Sequence, residues 1–226
     1  MWGLYHVLSR GVDKRQIFLE EKDYLRFIHD LFEFNDQNPA LNVNYFFKNE
    51  SIDLRSQYMG KNEKRKLLVE ILAFCLMPNH YHLFLRPLVE GGITQFMRKL
   101  NIGYAKYFNE KYNREGTLFQ GRYKSIHVIN QSHFVHLPYY IHLNPLDLKF
   151  SQWREGDIDD YQEAMDYLEQ YRWSSFLDYI GKKNFPSVTQ REFLLNFFGG
   201  SAQYKKDTLE WLKERDIKSL KGLLLE

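Results

Sequence analysis

Met77-Pro78-Asn79-His80-Tyr81-His82-Leu83-Phe84-Leu85 places two histidines two residues apart inside a stretch of strand character. The apolar run Ile71-Leu72-Ala73-Phe74-Cys75-Leu76 precedes it, and Pro78-Asn79 predicts a bend or a bulge between two strands. Side chains alternate along a strand, so His80 and His82 share one face and Tyr81 takes the other. Two imidazoles on one sheet surface supply part of a metal site or a proton-handling pair. A purely structural pair of histidines is the alternative, because so short a motif recurs by chance.

Working outward, Leu4 to Arg10 predicts a short strand ended by Gly11, and Asp23 to Phe34 a helix closed by Asn35-Asp36-Gln37-Asn38-Pro39. Residues 41 to 66 look like a polar surface insertion, with a possible strand at Val43 to Phe47 and a polar helix from Ile52. After the histidine pair, Ile93, Phe96, Met97, Leu100, Tyr104 and Phe108 trace one face of a long helix that ends near Asn113 to Gly116. Thr117 to Val128 contains another strand, on which Arg122 and Lys124 would flank Tyr123. Ser132 can cap a further helix through Phe134, Val135, Tyr139, Tyr140 and Ile141, stopping at Asn144-Pro145. Pro138 would interrupt its hydrogen bonding, so that helix is expected to begin there in effect. The order predicts an α+β fold, a ferredoxin-like antiparallel sheet with helices on one face. Residues 1–150 form the expected main domain and 151–226 an acidic helical extension.

With 44% hydrophobic and 17% aromatic residues, the 226-residue chain can bury a real core and is not disordered. The single cysteine, Cys75, excludes an intramolecular disulfide and fits a cytoplasmic setting. No stretch reads as a signal peptide or a membrane span. The net charge of +2 hides a lopsided distribution. Between Gln95 and Val128, Arg98, Lys99, Lys106, Lys111, Arg114, Arg122 and Lys124 outweigh Glu110 and Glu115, with tyrosines and phenylalanines interleaved. Between Ser151 and Gly181, acidic residues outweigh Arg154 and Arg172. Cations beside aromatic faces suit single-stranded nucleic acid, whereas a solvated helix face beside a core is the alternative. The acidic extension could shield the site or steer docking by excluding other phosphates.

Asn144 lies four residues after Tyr140, so their side chains are neighbours on one helix. If that helix crosses the face bearing His80 and His82, a phenol and an amide oxygen meet two imidazoles. Two nitrogens and one oxygen leave metal positions open for phosphate oxygens, and a tyrosine there can act as a nucleophile.

These residues resemble the HUH motif of the single-tyrosine HUH transposases, nearest the REP-associated tyrosine transposases and their insertion-sequence relatives. The matching segments are Met77 to Leu83, Tyr5 to Gly11, Gly116 to Ser125, Tyr140 to Pro145, and Trp173-Ser174-Ser175, together spanning about Tyr5 to Gly181. The resemblance implies an HUH motif on a central strand and a catalytic tyrosine on a following helix. It implies a metal-dependent enzyme that cleaves and rejoins single-stranded DNA near hairpin ends through a 5′-phosphotyrosine. His80 and His82 would hold Mg²⁺ or Mn²⁺, Tyr140 would attack, and Asn144 would be the third ligand. Tyr139 competes with Tyr140 for the nucleophile's role, and His142 with Asn144 for the ligand's, though on a helix His142 points about 200° round from Tyr140. Arg10, Arg98, Lys99, Lys106, Arg114, Arg122 and Lys124 are the expected DNA-binding set. Relatives act as monomers or dimers, so a homodimer is one expected assembly. Two rivals are a hairpin-binding protein without chemistry and a metal-dependent phosphodiesterase that uses water.

Overall fold

The computed structural model describes residues 3–39 and 65–213. The expected strand and helix of the insertion lie outside the described residues. Its edges are pinned: Gln37 donates its backbone N–H to the Lys66 carbonyl at 2.8 Å, and the Arg65 guanidinium lies 3.7 Å from the Phe32 ring centroid.

Strands β1 (Leu4–Arg10), β2 (Val69–Met77), β3 (His80–Pro87) and β4 (Lys124–Val128) form one antiparallel sheet in the order β2-β3-β1-β4. This is the ferredoxin-like arrangement expected from the element order, and β3 is an inner strand. Pro78 and Asn79 make a two-residue turn between the paired residues Met77 and His80. Of the bend or bulge expected there, the bend forms; a separate bulge lies between Ile71 and Ala73, where the register shifts by one residue. That shift lets Leu72 and Ala73 face the same core, and the Tyr179 hydroxyl donates to the Leu72 carbonyl at 2.6 Å.

Two helices cover one face. Helix α1 (Glu21–Glu33) starts in a capping box between Glu20 and Asp23. Helix α2 (Gly92–Lys111) lays Phe96, Met97, Leu100, Tyr104 and Phe108 against Val7, Tyr81, Leu83 and Leu85. The opposite face is covered as well, an addition to the expected single helical layer. Leu72, Cys75, Met77 and Phe84 there pack against helix α3 (Gln131–Leu143) and the C-terminal segment. The physical reason is that β2 is apolar on both faces, so each needs a cover.

Two expectations about residues 117–143 are corrected. Strand β4 begins only at Lys124, because Gly121 turns the chain at φ +65°, so Arg122 stands outside it and does not share a strand face with Lys124. Helix α3 begins at Gln131, capped by Asn130, whose side chain accepts from the His133 N–H at 2.7 Å, and it runs through Pro138. Every residue from Leu137 to Leu143 is buried. Packing on both sides outweighs the roughly 3 kcal/mol that an internal proline costs.

The C-terminal extension, helices α4 (Tyr161–Gln170), α5 (Phe176–Tyr179), α6 (Glu192–Phe197) and α7 (Ser201–Lys213), is built into the second core through Met165, Leu168, Phe176, Tyr179, Leu194, Tyr204 and Leu212. It also closes the open edge of β2. The Leu76 N–H donates to the Trp173 carbonyl at 2.9 Å, the Ser175 N–H to the Phe74 carbonyl at 3.0 Å, and the Gln190 N–H to the Ile71 carbonyl at 2.9 Å. An uncovered edge strand templates association between copies, so these bonds have a protective role. Trp173-Ser174-Ser175 is therefore an edge clasp, since the Ser175 hydroxyl makes no cap bond for the helix that follows and serves β2.

Candidate active site

Alternation along β3 turns Tyr81, Leu83 and Leu85 toward α1 and α2, and His82 and Phe84 toward α3. The rings of His80 and His82 meet edge to face at 5.0 Å between centroids, and those of His82 and Tyr140 at 5.6 Å. Tyr140 is fully buried. Its neighbour Tyr139, about 100° further round the helix, stacks on Tyr204 at 4.8 Å and packs against Phe198 and Trp211 in the C-terminal layer. Of the two competing tyrosines, Tyr140 is the one beside the histidines.

The histidine pair is held by partners on its other side. The Asn79 carboxamide oxygen lies 2.6 Å from His80 Nδ1, while Asn79 Nδ2 donates to the Lys14 carbonyl at 3.3 Å. That orientation makes His80 Nδ1 the protonated nitrogen and leaves Nε2 with its lone pair. His82 Nδ1 lies 2.9 Å from Nε2 of His6, and the two rings stack at 5.2 Å. Sequence reading missed His6. Its position on β1 was visible, but the register that sets Leu8 opposite His82, and so brings His6 alongside, was not. Burial pushes the pKa of His80 down to about 4 and that of His6 down to about 3, and lowers His82 well below the usual range. Arg10 and Arg154 press the same way on both His80 and His82. The imidazoles are therefore neutral near pH 7, the form that ligates metals.

Asn144 opens the 3-10 turn Asn144–Leu148 that extends α3. Its Nδ2 donates to the Tyr140 carbonyl at 2.8 Å, and its Oδ1 accepts from Arg154 Nη2 at 3.1 Å. An amide oxygen has two lone pairs, so one is committed and one remains. Among the described residues, no three His, Cys, Asp or Glu side chains form a group suited to a metal ion. A divalent ion would thus rest on two nitrogens, from His80 and His82, and on oxygens of other kinds. Imidazole nitrogens suit a transition ion, while an amide oxygen and water also suit Mg²⁺ or Mn²⁺. His142 is committed elsewhere, Nδ1 lying 2.7 Å from the Tyr204 hydroxyl and Nε2 2.7 Å from the Ser175 hydroxyl.

Of the basic residues, Arg10 pairs across from His80 in the sheet register. Arg98, Lys106, Arg122 and Lys124 are exposed. Arg98, Ile102 and Lys106 stand one turn apart on α2, the helix on the face away from His82. The Lys99 ammonium is turned to backbone carbonyls, including that of Asn38 at 2.9 Å, and Arg114 donates to Asn109 at 2.9 Å. Arg98 and Lys106 thus lie on a helix of the opposite face, and Lys99 and Arg114 are engaged away from the histidine–tyrosine cluster.

His80 and His82 on an inner strand are thus faced by Tyr140 from the next helix, two imidazoles and a phenol within ring-contact distance. Residues 41–144 match the family model described as "Transposase IS200 like", a span that holds His80, His82, Tyr140 and Asn144. The match bears out the resemblance drawn from the sequence and supports a transposase. Two solved structures are similar to the chain. A REP-associated tyrosine transposase bound to a REP hairpin is 14% identical, the alignment covering 82% of this chain and 84% of that one, with a TM-score of 0.49. A protein from Deinococcus radiodurans R1 described as a transposase is 15% identical over 62% of this chain and 89% of that one, with a TM-score of 0.35. No curated protein matches the chain.

Proposed function

We propose that the chain is a metal-dependent transposase that cleaves and rejoins single-stranded DNA beside hairpin ends. The observation that carries this reading is the cluster of His80, His82 and Tyr140, with ring centroids 5.0 and 5.6 Å apart. Tyr140 Oη attacks the scissile phosphorus; the new P–Oη bond forms as the P–O3′ bond breaks. The phenolic proton is lost to water and the departing 3′-oxygen takes one up. The downstream strand is left as a 5′-phosphotyrosine and the upstream strand as a free 3′-OH. Attack by a 3′-OH on the phosphotyrosine reverses the bond changes and joins new ends, so no nucleotide cofactor is consumed. His80, His82 and Asn144 would hold Mg²⁺ or Mn²⁺, which would supply Lewis-acid polarisation of the phosphate and charge stabilisation at the 3′-oxygen. Arg10, paired across from His80 in the sheet, is assigned to the scissile phosphate. Arg98, Lys106, Arg114, Arg122 and Lys124 are assigned to flanking DNA, which a salt-dependent affinity would reveal. With DNA as substrate the protein works in the cytoplasm, and among the described residues no helix is long and apolar enough to cross a membrane.

The test is incubation with Mn²⁺ and hairpin oligonucleotides labelled on either side of the cleavage point, followed by a denaturing protein gel. Label downstream of the cut is expected to migrate with the protein, and label upstream to appear as free oligonucleotide. Cleavage with no adduct would replace Tyr140 by activated water, and binding without cleavage would leave a hairpin-binding protein.

His6 gives a second check. Because it braces His82, His6→Ala is expected to weaken Mn²⁺ binding by about 10- to 100-fold, as loss of an outer partner of a ligating histidine does. Titration calorimetry at pH 7.5 reads this directly, and an unchanged affinity would remove His6 from the site.

A further inference from the structure

A cation from the acidic extension reaches the site. Arg154 lies in the short 3-10 turn Trp153–Glu155, in a stretch otherwise rich in Asp and Glu. Its Nε donates to Asp147 Oδ1 at 2.9 Å and its Nη2 to Asp147 Oδ2 at 2.8 Å, a two-point grip that fixes the plane of the guanidinium. The Trp153 indole N–H donates to the same carboxylate at 2.5 Å, and the guanidinium lies 4.7 Å from the Trp153 ring centroid. Arg154 is thus a braced group, and its side chain is mostly shielded from water. Its remaining donor capacity faces the proposed chemistry. Nη2 also donates to Asn144 Oδ1 at 3.1 Å, and the guanidinium carbon lies 5.2 Å from the Tyr140 ring centroid. Burial works against the guanidinium charge, and Tyr140 is among the neighbours, after Asp147, that hold its pKa above the usual arginine value.

We infer that Arg154 is a positioning residue for strand cleavage, acting through Tyr140 and Asn144, which it holds in a fixed relation to each other and to the histidine pair. The inference rests on the proposed function and deepens it by assigning a role to the extension. Two features make the geometry suit that role. The fork of an arginine reaches several acceptors at fixed angles, which the single ammonium of a lysine cannot do. The Asp147 carboxylate balances the guanidinium charge, so a divalent ion a short distance away meets a neutral pair and not a lone cation. The alternative, a structural clamp between the 3-10 turn and α3, predicts lost stability with no specific effect on chemistry.

The experiment follows single-turnover adduct formation with Mn²⁺ and a labelled hairpin for wild type, Tyr140→Phe, Arg154→Ala and Arg154→Lys. Hairpin affinity and thermal midpoint are recorded for each. Arg154→Ala is expected to form adduct about 100-fold more slowly, the scale of a loss of alignment at a reacting group, with hairpin affinity kept. Arg154→Lys is expected to recover little of the rate, and added guanidinium to restore part of it in Arg154→Ala. A merely structural arginine would show neither pattern at a matched thermal midpoint. Should Arg154→Ala not fold, Asp147→Asn keeps the arginine but weakens its grip, and a slower adduct at unchanged hairpin affinity is expected there too. Adduct at the wild-type rate in Arg154→Ala, or in Asp147→Asn if that is the variant used, overturns the inference alone. Wild-type protein that yields no Tyr140-dependent adduct overturns the proposed function, and the inference with it.

Discussion

Tyr140→Phe is expected to abolish the covalent DNA–protein product, a loss on the order of 10⁴-fold or more, as when the nucleophile of a catalytic group is removed. Hairpin binding is expected to persist, because the fold around the ring stays intact. The contacts with His82 at 5.6 Å and His6 at 6.0 Å are edge-to-face contacts of the ring, which phenylalanine keeps. Loss of one buried hydroxyl beside the Arg154 guanidinium is expected to cost on the order of 1 kcal/mol of stability. Tyr139→Phe is the matched control. Among the described residues its hydroxyl reaches Asp207, at a long 3.4 Å, and its ring sits among Phe198, Tyr204 and Trp211, so adduct yield should not change. A gel assay of both variants against wild type decides the matter, and loss of adduct in Tyr139→Phe with retention in Tyr140→Phe would reverse the assignment.

His142→Ala is expected to destabilise the protein by about 3 to 5 kcal/mol. The imidazole is fully buried and joins three elements: α3 by the chain itself, the β2-edge clasp through Ser175, and α7 through Tyr204. Its removal leaves two buried hydroxyls without that partner and opens a cavity beside Phe176 and Tyr179. Acid acts on the same group. Burial pushes the pKa of His142 down from 6.5 to about 3. Above pH 6.5 the ring is neutral both folded and unfolded, and no stability depends on pH. As pH falls below 6.5 the unfolded chain takes up a proton that the folded chain refuses, so stability declines toward the folded pKa. At pH 5 this costs about 2 kcal/mol from this residue. Urea unfolding of wild type and His142→Gln between pH 8 and pH 5 measures both effects. The glutamine variant should lose about one proton's worth of acid sensitivity, and equal slopes would show that His142 does not titrate between the two states.

The alternation around His80 and His82 was legible because strand periodicity depends on nothing outside the strand. So was the long apolar face of α2, and with it the ferredoxin-like order of elements. His6 was not, since its contact with His82 depends on how β1 slides against β3, a choice that neither strand's own pattern encodes. Arg154 escaped for a different reason. In sequence it is one cation among many acids, and only the turn after α3 folds it back onto Asp147 and Asn144. Lys99 shows the converse, a lysine assigned to a basic track whose ammonium meets carbonyls beyond the end of α1. Pro138 misled because its local cost is real, yet it is exceeded by packing on both sides of a buried helix. The acidic extension, expected as a shield, is in part a structural cover for β2, so deleting it would expose an edge and half of a core together.

The most direct measurement is peptide mapping of the adduct. Wild-type protein is trapped on a labelled hairpin with Mn²⁺, digested with protease and nuclease, and the modified peptide is sequenced by mass spectrometry. Phosphotyrosine linkage on Tyr140, with Tyr139 unmodified, is the predicted result. A nucleotide on Tyr139, or on any residue remote from the His80–His82 face, would contradict the account.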